Sequence, residues 1–150
     1  LPGDDRRAVL HLCASGDTCT TAGEGNGVIN GNWDDDSDSE AFRFWQHLRL
    51  ANLSTGSTDV TSDAYLPSNA LGGRLGVQHA NGLLGFGATL LVCAGGIPGK
   101  FVRQLDIALD DGDPATGSMR AGIGSGDGMT PISASSPLED GNSHTVCASL

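Results

Sequence analysis

Ser37-Asp38-Ser39-Glu40 stands directly before AFRFWQHLRLANL, and no other stretch constrains the fold of this chain as tightly. Its S-x-x-E form is that of a capping box, in which the Ser37 hydroxyl accepts a hydrogen bond from the Glu40 N–H and Glu40 reaches back to the Ser37 N–H. Ala41, Phe44, Trp45 and Leu48 then share one face, extended by Ala51 and partly by Leu53, while Arg43, Gln46 and Arg49 fall on the wetter side. Acid at the start and arginines further along also suit the helix dipole. The pattern predicts a helix over residues 38–53.

Around that helix the chain is rich in glycine, with 23 among 150 residues, against a usual share near ~7%. This favours tight turns and long loops over a helical bundle. Ser15 to Asn32 has no apolar periodicity and reads as loop, and Arg6 to Leu12 fits either a short strand or a helical tail. Ser54 to Ser68 is a polar loop that Tyr65 and Leu66 tuck onto the core. Leu75, Val77 and His79 alternate as in a strand. Asn81-Gly82 then signals a two-residue hairpin turn, with a returning strand from Leu83 through Cys93. Pro98 opens a second helix, in which Phe101, Leu105 and Ala108, with Val102 and Leu109 beside them, form an apolar stripe that Gly112 ends. Ser118 to Ile123 reads as a third strand, Gly124 to Gly141 as loop, and His144 to Ala148 as a short final strand. Together these elements predict an α+β fold with about four strands in a single domain over residues 1–150.

Eight basic and 18 acidic residues give a net charge of −10. Such a field repels phosphate backbones, so no nucleic-acid partner is expected. No apolar run is long enough to span a membrane. The chain opens on the polar, turn-like LPGDD without an initiator Met or signal peptide, as a processed or truncated protein would. The four cysteines, 13, 19, 93 and 147, form neither C-x-x-C nor a zinc-like spacing. Their even number suggests two disulfides in an oxidising compartment. Of three connectivities, Cys13–Cys19 with Cys93–Cys147 is preferred, the first stapling a short loop and the second tying a strand to the C-terminus. The other two pairings, and four reduced buried thiols, stay open.

Catalytic motifs are sparse. Histidines 11, 47, 79 and 144 coexist with many serines, but none lies in G-x-S-x-G or another motif of defined geometry. His47 reads as a surface or boundary residue. Gly122-Ile123-Gly124-Ser125-Gly126 has no following Lys to make a phosphate cradle. Asp110, Asp111 and Asp113 crowd the end of the second helix, where carbonyls already point outward. An Asx-type turn is the simpler account of them, with a basic partner such as Arg120 or a bound cation as alternatives. TAGEGNGVINGNWDDD can also be aligned with the calcium loop D-x-[DN]-x-[DN]-G. With Gly27 as the turn glycine, Asn26 and Glu24 precede it as ligands, Val28 offers its carbonyl and Asn30 the next oxygen. Ala22 cannot ligate, and Trp33 stands where a bidentate acid belongs, with Asp34 one residue later. The candidate calcium ligands are therefore Glu24, Asn26, Val28, Asn30 and Asp34, in an imperfect loop.

Taken in order, LPGDD, GEGNGVINGNWDDD, SEAFRFWQHLRLANL, LPSNALGGRLGVQ, VCAGGIPGKFVRQLDIALDDGDPATGSMRAG and TVCASL cover nearly the whole chain. Together they resemble the soluble domain of type IV pilin and minor-pilin-like proteins of Gram-negative bacteria, which are related to the pseudopilins of type II secretion. FWQHL and LDDGDPATGSMRAG are the most specific segments. The resemblance implies a pilin-like antiparallel sheet packed on the C-terminal half of a long helix. The apolar amino-terminal half of that helix would anchor the precursor in the inner membrane and later form the filament core. This signature helix and its processing site are not in the sequence. The family further implies that Cys93 pairs with Cys147, and Cys13 and Cys19 look like an addition in the first loop.

On this reading the chain is a structural subunit of an extracellular or periplasmic filament and not an enzyme. Its partners are other pilin subunits, it needs no cofactor, and calcium is an optional ligand. Loops 15–36, 54–72 and 124–143 would face outward, where adhesion or partner contacts can occur. A second reading is a pseudopilin or tip subunit that recognises another protein of a secretion system. A third is a secreted hydrolase.

Overall fold

In the computed structural model, which describes residues 1–15 and 19–150, the capped helix begins two residues later than the S-x-x-E pattern predicts. Residues 16–18, within the segment expected to be loop, lie outside the described residues. The Arg6 to Leu12 stretch resolves as a short helix, α1 (Ala8–Leu12), and the capped helix is α2 (Glu40–Leu50). Ser39, not Ser37, is the cap, its hydroxyl accepting the Phe42 N–H at 3.1 Å. Glu40 does not reach back to Ser37. Its carboxylate accepts the N–H groups of Glu24 and Asn30 at 2.6 and 2.9 Å, so it clamps the preceding loop and leaves the cap to a neutral hydroxyl.

The buried face of α2 is also different from the expected one. Phe42, Gln46 and Arg49 are buried, with Gln46 only 4% exposed and Arg49 7%. Of the predicted apolar stripe Ala41 is buried, but Phe44, Trp45 and Leu48 are only partly buried. The reason lies in the polar 54–65 segment, whose carbonyls need donors. Arg49 donates to the carbonyls of Thr55, Ser57 and Tyr65, and Gln46 donates to those of Cys19 and Thr58. Tyr65 is buried as expected, its hydroxyl donating to the Phe42 carbonyl at 2.8 Å.

The strands form one antiparallel sheet, β1 (Leu75–His79), β2 (Leu90–Pro98), β3 (Met119–Ile123), β4 (Thr130–Pro131) and β5 (Ser143–Ser149). Their order is β1-β2-β5-β3-β4, five strands among the described residues, and the extra one is a two-residue edge within the predicted 124–141 loop. The fold is α+β, as expected. Asn81 and Gly82 do form a tight turn, both with positive φ, and Leu83 N–H bonds Ala80 O at 2.7 Å. The chain does not pair at once. Leu83 and Leu84 turn inward through a short 3₁₀ segment, Leu83–Gly85, to fill the core with Phe86, and β2 starts only at Leu90.

Successive β5 residues face opposite sides, and each side has its own apolar cluster. Cys147 joins Cys93, Leu91, Trp33, Leu84 and Phe86, whereas Val146 joins Ile97, Val102, Met119, Ala121 and Leu138. Trp33 sits so close to the sheet that a Cβ at Gly76 would fall 1.7 Å from its carbonyl and one at Gly95 2.8 Å from its ring. The residue that spoiled the calcium-loop alignment is thus a core plug. Cys93 and Cys147 are direct partners across β2 and β5 and form a disulfide, and Cys13 bonds Cys19. By closing loops of 6 and 54 residues, these restrict the unfolded chain by about 2 and about 4 kcal/mol respectively.

Helix α3 (Gly99–Leu109) follows Pro98 as predicted, but its buried line is Gly99, Val102 and Asp106. Of the expected apolar stripe Val102 is buried, but Phe101, Leu105, Ala108 and Leu109 are exposed, Leu109 by 70%. Among the described residues, no helix is long and apolar enough to cross a membrane.

Candidate functional site

The loop that carries the predicted calcium ligands is organised by anions beneath it. Asp4, which is buried, accepts the N–H groups of Asn26 and Gly27 at 3.0 and 2.9 Å, and Glu40 takes those of Glu24 and Asn30. Glu24, Asn26 and Asn30 come together, because one Glu24 carboxylate oxygen accepts both side-chain amides, at 3.0 and 3.3 Å. Asn26 turns its own carbonyl oxygen onto the Val28 N–H at 2.8 Å, an Asx turn. Asp34 is turned to a different neighbour: a Cβ on Gly126 would lie 3.5 Å from its Oδ1. The loop also buries Ile29 and Trp33, the two apolar anchors of the segment.

His47 is buried, not at the surface, and its hydrogen bonds define its tautomer. Nδ1 accepts the Gly3 N–H at 2.8 Å, so the proton is on Nε2, which faces Thr20 Oγ1 at 3.0 Å and Thr21 O at 3.3 Å. A ring nitrogen that donates to Thr20 cannot take its proton, so this pair is a structural tie between the N-terminal segment and α2. Burial holds the His47 pKa below the ordinary imidazole value. His11 pairs with Asp5 at the surface at 2.7 Å. His79 lines a cleft of about 560 Å³ between the Ala80–Gly85 turn and the Asp127–Pro131 segment, and His144 is buried in β5.

At the C-terminal end of α3 the expected Asx turns are present. Asp111 Oδ1 accepts the Asp113 N–H at 2.9 Å, and Asp113 Oδ1 accepts that of Ala115 at 3.0 Å. Arg120 is not their partner. It donates to the carbonyls of Gly117 and Leu84 and lies over the Phe86 ring, 4.5 Å from its centroid. The residue missed by sequence reasoning is Asp106, which is 1% exposed. Its four-residue spacing from Val102 and from Asp110 is the only signal that could have found it, and that signal acquires meaning once the buried face is known.

The outer face of α3 leaves Phe101, Leu105, Ile107 and Leu109 uncovered. Leu71, Phe101 and Leu105, with Ile97 at the base and Gln104 at the rim, line an open groove of about 290 Å³. The apolar lining and shallow shape suit a protein side chain better than a small polar substrate. Comparison with protein-family models, with curated proteins and with solved structures returned no match for this chain.

Proposed function

We propose that this chain is a structural subunit of an extracellular or periplasmic type IV pilus-like filament, presenting its disulfide-bonded head to neighbouring subunits. The observation that carries this reading is the exposed apolar groove of Leu71, Phe101 and Leu105, a surface suited to another protein. The FWQHL and LDDGDPATGSMRAG segments, which resemble those of minor pilins, supply the family context. Two disulfides suit an oxidising compartment outside the cytoplasm. The precursor would be anchored in the inner membrane by an apolar helix preceding this sequence, and no catalysis is assigned to the head.

The test is complementation of a gene-deletion strain with the full-length chain, wild type or Phe101→Asp/Leu105→Asp. Filaments are counted by electron microscopy and exported proteins by gel. Loss of filaments from a variant that still folds and forms both disulfides is the expected result. Unchanged filaments with impaired export would instead assign the groove to a pseudopilin or tip subunit that recognises a secretion partner. Coding sequence upstream that holds no basic leader and apolar run would defeat both forms of the reading.

A further inference from the structure

We propose that Asp106, Asp110 and Asp111 form a calcium-binding site where α3 meets β3. Asp106 lies on the buried line of α3, and among the described residues neither of its carboxylate oxygens has a hydrogen-bond partner. A buried carboxylate in that condition must either hold a proton or face a cation. One oxygen from each of Asp106, Asp110 and Asp111 gathers within 4.8 Å of the others, the one such group of three acidic, His or Cys ligands among the described residues.

Among the described residues no basic side chain neutralises this corner: Arg43 pairs with Asp38, Arg103 with Asp140 and His11 with Asp5. Arg120, the next arginine along the chain, is spent on carbonyls. The corner also sits at the carbonyl end of α3, where the helix dipole adds to the negative potential. Burial, with Asp111, Asp110 and Asp113 adding to it, raises the Asp106 pKa, and the Gly112 N–H opposes this without reaching hydrogen-bond geometry.

The two outer carboxylates are already held in place. Asp110 accepts the Ser118 hydroxyl and the Met119 N–H, both at 2.8 Å, and Asp111 accepts the Thr116 hydroxyl at 2.7 Å in addition to the Asp113 N–H. Gly117 makes room for this, since a Cβ there would fall 1.9 Å from an Asp110 oxygen. Each of these oxygens keeps a second lone pair for a metal. Three carboxylates and no nitrogen or sulfur make a hard donor set, which excludes zinc and copper as preferred ions. Calcium accepts irregular oxygen cages of six to eight ligands, whereas magnesium demands a near-regular octahedron. An irregular corner built from one helix residue and two turn residues therefore selects calcium.

The experiment is titration of the intact disulfide-bonded chain, after treatment with EDTA, with CaCl₂ or MgCl₂ at pH 7.5. Heat of binding and melting temperature are both read. One calcium per chain is expected, with melting raised by roughly 5–10 °C at a hundredfold excess over Kd, and magnesium at least tenfold weaker. Asp106→Asn should abolish the calcium response while melting, in EDTA, no lower than wild type. Asp111→Asn, at an exposed position, should weaken binding tenfold or more in a normally folded protein. Glu24→Gln should leave affinity unchanged. No saturable heat or melting shift would overturn the site, as would calcium binding that persists in both aspartate variants. Binding lost in Glu24→Gln and kept in Asp106→Asn would move calcium to the N-terminal loop.

Discussion

Two regions of the molecule bury carboxylates, and they do so by opposite means. Under the N-terminal loop, Asp4 and Glu40 each receive two backbone N–H groups, so four dipoles offset the desolvation of two charges. At the end of α3, Asp106 is buried more deeply and receives none, while two further carboxylates crowd it. The first arrangement is complete within the chain. The second calls for a proton or a metal ion. Burial alone therefore says little about whether an acid stabilises a fold; the count of donors around it decides the sign.

The sharpest way to break this contrast is to remove the acid that has donors. Glu40→Ala leaves the Glu24 and Asn30 N–H groups without their acceptors and is expected to destabilise by about 2–4 kcal/mol, measured by urea unfolding. Asp106→Asn should go the other way. In EDTA at neutral pH it is expected to gain on the order of 1 kcal/mol, because a neutral amide replaces an unpaired carboxylate. A loss comparable with that of Glu40→Ala would show that Asp106 has partners equivalent to those of Asp4.

The pH dependence sharpens the same comparison. A raised folded pKa means that the native state binds the Asp106 proton more tightly than the unfolded chain, so this contribution is full below the carboxylate's ordinary 3.8. It is lost as pH rises through the folded value. His47 has the opposite sign: its lowered pKa favours the neutral native form, so its contribution is present above 6.5 and is lost as pH falls through the folded value. Wild type measured against Asp106→Asn in EDTA should lose relative stability as pH rises above 3.8, by at most about 1.4 kcal/mol per pH unit. Saturating calcium should remove that slope.

The smallest expected effects concern the helix cap. Ser39→Ala should cost about 1 kcal/mol, and Ser37→Ala less than about 0.5 kcal/mol. Equal losses in thermal unfolding would return the cap to the frame that S-x-x-E suggests.

What could be read from the sequence was local. Pro98 and the stripe after it announced α3, the alternation at Leu75–His79 announced β1, and the spacing of the cysteines favoured the disulfides that form. What could not be read depended on distant partners. Glu40 is drawn from the capping role by amides 10 and 16 residues earlier. Gln46 and Arg49 are buried because an irregular segment offers them carbonyls, and hydrophobicity has no means of anticipating that. The same blindness concealed the acidic corner. In LDIALDDGD the visible aspartates are those of the turn, and Asp106 looks like a solvated helix residue until Val102 shows which side faces inward.

One consequence concerns the order in which the molecule can be made. The strand that comes last in sequence, β5, lies at the middle of the sheet, with β2 on one flank and β3 on the other. During synthesis β1 with β2, and β3 with β4, can form only as separate halves, because the surface joining them has not yet emerged. The native pairing of Cys93 must likewise wait for Cys147, which arrives with that final strand. The chain therefore closes like a keystone arch, late and at one position. Premature termination before Ser143 would release two unjoined sheet fragments and an unpaired thiol, a ready substrate for proteases.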